Sequence, residues 1–240
     1  MLRSRLSRVR RLLHDVRTLA TMSRVDIVAS RGGVIEEEVL QDLRRPHPRY
    51  KVVGRKVVGA ALLPLDEFRD VERYLANLRS ARKRVRRASR LGYTVALFDP
   101  NERRSELLAI HTSLPERQGR PMDPDYLDPR ATFRTGPDFD YVGVLRKGAV
   151  VAYCRVLYAG DIASMDRVMG HGDHLADGIM FLLTAGVVEH VKKARPETRY
   201  VYYDTFFGAS AGLREFKTRA GFRPHYVHWK REVEPRGRRR

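Results

Sequence analysis

Apolar and polar positions alternate with two periods along this chain, and the change from one to the other marks its elements. Strand-like runs at Tyr93–Phe98, Tyr141–Arg146, Ala149–Leu157, Ile162–Val168 and Tyr200–Phe207 are rich in β-branched and aromatic residues. Lys147-Gly148 and Ala159-Gly160-Asp161 supply turns between the middle three, which therefore read as a meander. Helical spacing governs Arg103–Leu114, Asp177–Lys193 and the segment after Ser210, where Leu213, Phe216 and Ala220 form an apolar stripe. Ser210 suits an N-cap, and Gly221 suits a left-handed C-cap before Phe222 starts a last strand reaching Trp229. Earlier, Val25–Ala29 and Lys51–Leu63 are strand-like, Ile35–Arg44 is helical, and Asp66–Arg90 reads as one long helix.

Charge changes this picture most. The 240 residues carry 47 Lys and Arg against 29 Asp and Glu, a net charge of +18. Such an excess points to an anionic partner, although a compositional bias toward arginine is the plainer alternative. Two segments concentrate it. Residues 2–19 set Leu2, Leu6, Val9, Leu12, Leu13, Val16 and Leu19 among six arginines, an amphipathic basic helix suited to peripheral contact with an anionic membrane or with RNA phosphates, or else a solvated basic arm. Arg79, Arg82, Lys83, Arg84, Arg86, Arg87 and Arg90 crowd the second half of the Asp66–Arg90 helix with no interleaved acid, which fits a phosphate-binding face.

An apolar content of 42% is enough for a full core. No run approaches the ~20 apolar residues of a membrane span, and arginines break the apolar stretches near the start, so a cytoplasmic protein is expected. Cys154 is the single cysteine and lies in an apolar run, which leaves no internal disulfide. His171 and His174 flank Asp173, too few ligands for a metal centre, and none is expected.

Asp204-(x)8-Leu213-Arg214-x-Phe216-Lys217-(x)3-Gly221-Phe222 resembles the C-terminal part of the GNAT acyltransferase fold. More narrowly, it is similar to the FemAB-like branch, relatives of the Fem-type peptidyltransferases that take amino acids from aminoacyl-tRNA. The basic helix followed by Ala88, Gly92 and a strand belongs to the same resemblance, which runs from about Asp66 to Trp229. It implies an α/β (α+β) fold, a GNAT-like mixed and mostly antiparallel sheet with helices on both faces. It divides the chain into a basic, reduced N-terminal region (1–65), an acyltransferase domain (66–231) and a basic disordered tail (232–240).

The resemblance also implies amide formation on the amine of a peptide or small metabolite. Lys217 would stabilise charge on the transferred carbonyl, Asp204 would orient the acceptor, and Tyr203 stands beside it. Arg117, Gln118, Arg120, Arg214 and Phe216 would contact substrate. Aminoacyl-tRNA is the expected co-substrate, with no separate cofactor. The alternative donor is acetyl-CoA, because Arg167-Val168-Met169-Gly170-His171-Gly172 fits the GNAT pyrophosphate loop, with Arg167, Gly170 and Gly172 as its key residues. A non-catalytic module that binds RNA or a membrane is the third reading.

Overall fold

Eight strands join in one sheet, in which strands from the start of the chain lie beside strands from its end. The computed structural model describes residues 17–29, 33–47, 54–117 and 120–231. The strands are β1 (Arg24–Ala29), β2 (Val58–Pro64), β3 (Tyr93–Leu97), β6 (Phe139–Arg146), β7 (Ala149–Ala159), β8 (Ile162–Gly170), β9 (Tyr200–Thr205) and β10 (Arg223–Arg231). A separate two-residue hairpin pairs β4 (Glu116–Arg117) with β5 (Arg120–Pro121). Neighbours in the large sheet run antiparallel except at β1–β10 and β8–β9. The expected mixed, mostly antiparallel architecture is the one observed.

Helices cover both faces, because each strand alternates two apolar sets. On β7, Ala152, Cys154 and Val156 join one core, and Val150, Tyr153 and Leu157 join the other. The first core is closed by α2 (Val71–Ala76), α3 (Arg79–Arg90), α5 (Ile179–Ala194) and residues flanking α6 (Ala211–Arg219). The second is closed by α1 (Val34–Arg44) and α4 (Arg104–Thr112). Helix α5 buries ten of its residues, from Ile179 to Val191, which matches its nearly unbroken apolar sequence.

Residues 24–64 are woven into this sheet: β2 lies between β9 and β10, and β1 pairs with β10. The expected basic helix 2–19 lies outside the described residues up to residue 16, as does the tail 232–240; Leu19 and Met22 pack on the first core.

The long helix expected over Asp66–Arg90 is two. Asp70 caps α2 by accepting the Arg73 N–H at 2.8 Å, and the chain leaves helical geometry at Leu78 (φ −118°, ψ 73°) before α3 begins. The break lets Leu75 and Leu78 reach the core under α6, while Ala81, Val85 and Ala88 of α3 face it from a new direction.

Gly59 holds a left-handed φ of +84°, and a Cβ there would overlap the Phe207 ring. Its carbonyl accepts the Phe206 N–H at 2.7 Å, so β2 passes directly against the turn after β9. Gly59→Ala should cost about 2–4 kcal/mol from strain and overpacking together. Gly212→Ala, in the open first turn of α6, should be neutral or stabilising by up to about 1 kcal/mol. Urea denaturation of the two variants beside the parent checks the contrast.

Candidate functional site: a split between two parallel strands

Strands β8 and β9 pair for three rungs only, Ile162↔Tyr200, Ala163↔Val201 and Ser164↔Tyr202, and then separate. Two non-glycine residues just past the last rung adopt left-handed geometry: Arg167 (φ 49°) on β8 and Asp204 (φ 49°) on β9. The β7–β8 register shifts at the same level, so β8 bulges at Arg167. Such conformations cost about 1–3 kcal/mol each and persist where the surroundings enforce them, commonly at functional sites.

The split opens into a cleft of about 410 Å3, bounded on one side by α1. A larger cavity of about 770 Å3 adjoins it beyond the end of β8, and Tyr126, Val168 and Met169 line both. The larger space is walled by Leu114, Met122, Leu175, Met180 and Leu213, with Arg117 and Arg120 at its polar side.

A chain of charges crosses the cleft. Asp204 Oδ1 and Asp42 Oδ1 each lie 2.8 Å from Lys56 Nζ, and the Tyr202 hydroxyl donates to Asp42 Oδ2 at 3.2 Å. The Asp204 side chain is 51% exposed, yet it stands in a concavity that strips much of its water. That desolvation raises its pKa, but the Lys56 ammonium, and after it Lys217, prevail and hold the carboxyl below its usual range. Burial likewise works against charge on Lys56, and Asp204 with Asp42 overcomes it, so its pKa is raised.

Lys217 is only 1% exposed. Its ammonium donates to the carbonyls of Tyr203 (2.7 Å) and Thr205 (2.8 Å) and lies 4.5 Å from the Tyr203 ring centre. Desolvation lowers its pKa to about 8; Asp204 opposes the shift and Lys56 adds to it. Lys217 and Asp204 thus form one electrostatic unit, with the ammonium beneath β9 and the carboxylate facing the cleft. Tyr203 packs edge-on against Phe216 and Phe222.

The other expected residues fall into separate groups. Arg117 donates to Gly170 O (3.0 Å), Ser113 Oγ (3.1 Å) and Ile110 O, fastening α4 to the end of β8, while its buried Nε has no hydrogen-bond partner among the described residues. Gln118 lies outside the described residues, and Arg120 is exposed at the larger cavity. Phe216 stacks on Phe181 at 4.8 Å, and Arg214 lies over Phe206 at 5.5 Å.

Of the hexapeptide, Arg167–Gly170 is strand. Helix α5 begins only after Gly178, behind a 3-10 turn over Gly172–Asp177. Tight packing accounts for both glycines. A Cβ on Gly170 would meet Met180 and Leu175, one on Gly172 would meet Leu114 and Ser113, and the Gly172 N–H already donates to Ser113 Oγ at 2.9 Å.

Helix α3 turns Ala81, Val85 and Ala88 inward and its basic residues outward. Among the described residues the one carboxylate within salt-bridge reach of these seven side chains is Asp177, 3.1 Å from Arg87. Close approach of Gly178 to the Arg84 backbone sets this face beside the turn whose Leu175 lines the larger cavity.

Asp42, Lys56, His47 and Tyr126 escaped the sequence reading. His47 Nε2 lies 3.0 Å from the Thr205 hydroxyl, and burial lowers its pKa. A pattern search had no means of joining Lys56 to Asp204, although Lys217 had a signal: Leu213, Lys217 and Ala220 share helical spacing, which places the lysine on the inward stripe.

No protein-family model matches the chain, and no curated protein does. Several solved structures are similar in fold. The C-terminal domain of a putative lysylphosphatidylglycerol synthetase from Agrobacterium fabrum aligns with a TM-score of 0.51 and 18% identity, over 70% of this chain and 58% of that one. L-PGS from Bacillus licheniformis gives 0.49 and 19% over 70% and 58%, and a tandem GNAT protein from the clavulanic acid biosynthesis pathway gives 0.45 and 17% over 70% and 51%. The alignments span a little over half the length of each of these chains. At such identity the likeness is one of fold, a mixed and mostly antiparallel sheet with helices on both faces, as expected from the residues. Among the described residues no helix is long and apolar enough to cross a membrane.

The depressed pKa of Lys217 gives a signed prediction. Unfolding returns this side chain to its ordinary 10.5, so between about pH 8 and 10 the unfolded chain binds more protons and stability should rise with pH. The full effect is on the order of 3 kcal/mol. Urea midpoints from pH 7.5 to 9.5 should climb for the parent, and Lys217→Met should flatten that climb.

Proposed function

We propose that this chain is an acyltransferase that forms an amide on an amine acceptor, with aminoacyl-tRNA as the donor. The observation that carries the reading is the basic face of α3, answered among the described residues by Asp177 alone, beside the larger cavity. Its twelve residues span about 18 Å, longer than one pyrophosphate requires and suited to successive phosphates of an RNA strand. In this scheme the larger cavity receives the acyl end of such a donor against its apolar wall, and the charged cleft receives the acceptor. That a fold neighbour is named for lysylphosphatidylglycerol synthesis supports an aminoacyl group as cargo.

The amine enters the cleft near Asp204 and attacks the ester carbonyl where cleft and cavity meet, at Tyr126, Val168 and Met169. A C–N bond forms, the C–O bond to the terminal ribose breaks, and the ribose oxygen leaves with a proton. That proton is the one the nitrogen loses in becoming an amide, and Asp204, whose negative charge Lys56 and Lys217 sustain, relays it. Positioning in a dry split between strands accounts for most of the rate. Lys217, with its donors engaged by the chain's own carbonyls, acts through Asp204 in this scheme.

Acyl-CoA is the second reading, favoured by the apolar lining of the larger cavity next to Gly170. Salt-dependent binding separates the two. Arg79→Ala, Lys83→Ala and Arg86→Ala together remove three exposed charges of α3 that make no ion pair among the described residues. They should weaken charged-tRNA binding and reduce the log–log salt slope by about 2. Unchanged affinity and slope, with saturable acetyl-CoA binding, would move the assignment to the CoA donor.

A further inference from the structure

Charge in the cleft between β8 and β9 balances in number but not in pairing. Four carboxylates line it, from Glu38, Asp42, Asp166 and Asp204, and four cations, from Arg45, Lys56, Arg155 and Arg167. Arg155 is bound by Asp166, with Glu38 at 3.5 Å; Lys56 is shared by Asp42 and Asp204; Arg45 approaches Asp42 at 3.7 Å. Among the described residues, Arg167 alone of these cations has no carboxylate within 4.0 Å. The cation in direct contact with Asp204 among the described residues is Lys56, which it shares with Asp42, while Lys217 acts on it from beneath β9.

Arg167, which lacks a carboxylate, and Asp204, which answers Lys56 and Lys217 yet keeps half of its side chain open to the cleft, stand on opposite sides of the split. The last rung joins Ser164 to Tyr202, so Asp204 follows it by two residues and Arg167 by three. Both occupy left-handed backbone geometry, which takes each out of the regular alternation of its strand. The Arg167 guanidinium is held 5.0 Å over the ring of Tyr126. That ring is itself fixed edge-on to His111 at 5.0 Å, whose Nδ1 lies 2.8 Å from the Tyr126 carbonyl and whose Nε2 lies 2.7 Å from the Tyr153 hydroxyl. The cation is therefore pre-positioned without being neutralised. A guanidinium in this state suits a carboxylate. A carboxylate answers this one guanidinium charge for charge, whereas a dianionic phosphate would bring a second charge with no free cation among the described residues of the cleft to meet it.

We infer that the acceptor is zwitterionic, an amino acid or short peptide whose free amine lies at Asp204 and whose carboxylate lies at Arg167. This rests on the acyltransferase reading for the role of the amine, but the binding itself requires no donor. Its test is equilibrium binding to the full chain by calorimetry. The probes are glycylglycine, its C-terminal amide, N-acetyl-glycylglycine and 2-aminoethyl phosphate.

Glycylglycine should bind at least about ten-fold more tightly than the amide or the acetylated peptide, the scale of one lost charge-assisted contact. Arg167→Gly, which also relieves the left-handed strain, should erase the preference for acid over amide and leave amide binding unchanged. Equal binding of acid and amide by the parent overturns the inference, as does no binding of glycylglycine or tighter binding of the phosphate. Arg167→Gly weakening both peptides alike overturns it too. A chain that binds glycylglycine as described yet accepts nothing from charged tRNA would contradict the donor and keep this inference.

Discussion

The separation of β8 from β9 after three rungs is the constraint on which the rest depends. Parallel strands that part inside a sheet leave ladder groups without their regular partners, and buried backbone groups are costly to leave unpaired. Here the break on β9 is managed by side chains. Lys217 satisfies the Tyr203 and Thr205 carbonyls from below, and the Thr205 hydroxyl, next to His47, donates to the Phe207 carbonyl. What results is a gap in the centre of the sheet, lined by backbone and flanked by two residues in strained geometry.

Keeping a lysine under that gap has an electrostatic consequence. A buried ammonium is tolerable only with a counter-charge close by, and Asp204 is the carboxylate the fold supplies. Lys56 approaches the same carboxylate from β2's leading turn, and Asp42 joins from α1. The first sixty residues thus complete a site whose chemistry is centred on β9, and their strands enter the sheet to do so. Positive charge on α3 is handled differently: the helix buries Ala81, Val85 and Ala88 and keeps its arginines toward the surface, with Asp177 the one carboxylate at hand among the described residues.

Much of this fold could be read from the residues because its signals are local. The meander follows from Lys147-Gly148 and Gly160-Asp161 between β-rich runs, and α5 from a long apolar helix. The ending of α6 follows from Gly221, which holds the expected left-handed φ of 87°. What could not be read was long-range. The order of strands, the insertion of β2 beside β9 and the meeting of Lys56 with Asp204 leave no mark in any short window. The kink at Leu78 escaped because the apolar positions on either side of it keep helical spacing. Gly170 and Gly172 match a phosphate-loop pattern in sequence, yet in space their missing side chains make room for Met180, Leu175 and Leu114. A short glycine motif cannot distinguish these uses.

The most direct test of the account is a single-turnover assay with the full chain, tRNA charged with a labelled amino acid, and glycylglycine as acceptor. The account predicts that label leaves the tRNA ester and appears in a base-stable amide on the dipeptide. The transfer should be lost in Asp204→Asn while charged-tRNA binding persists. Label that remains on tRNA while acetyl-CoA acylates the same acceptor would contradict it.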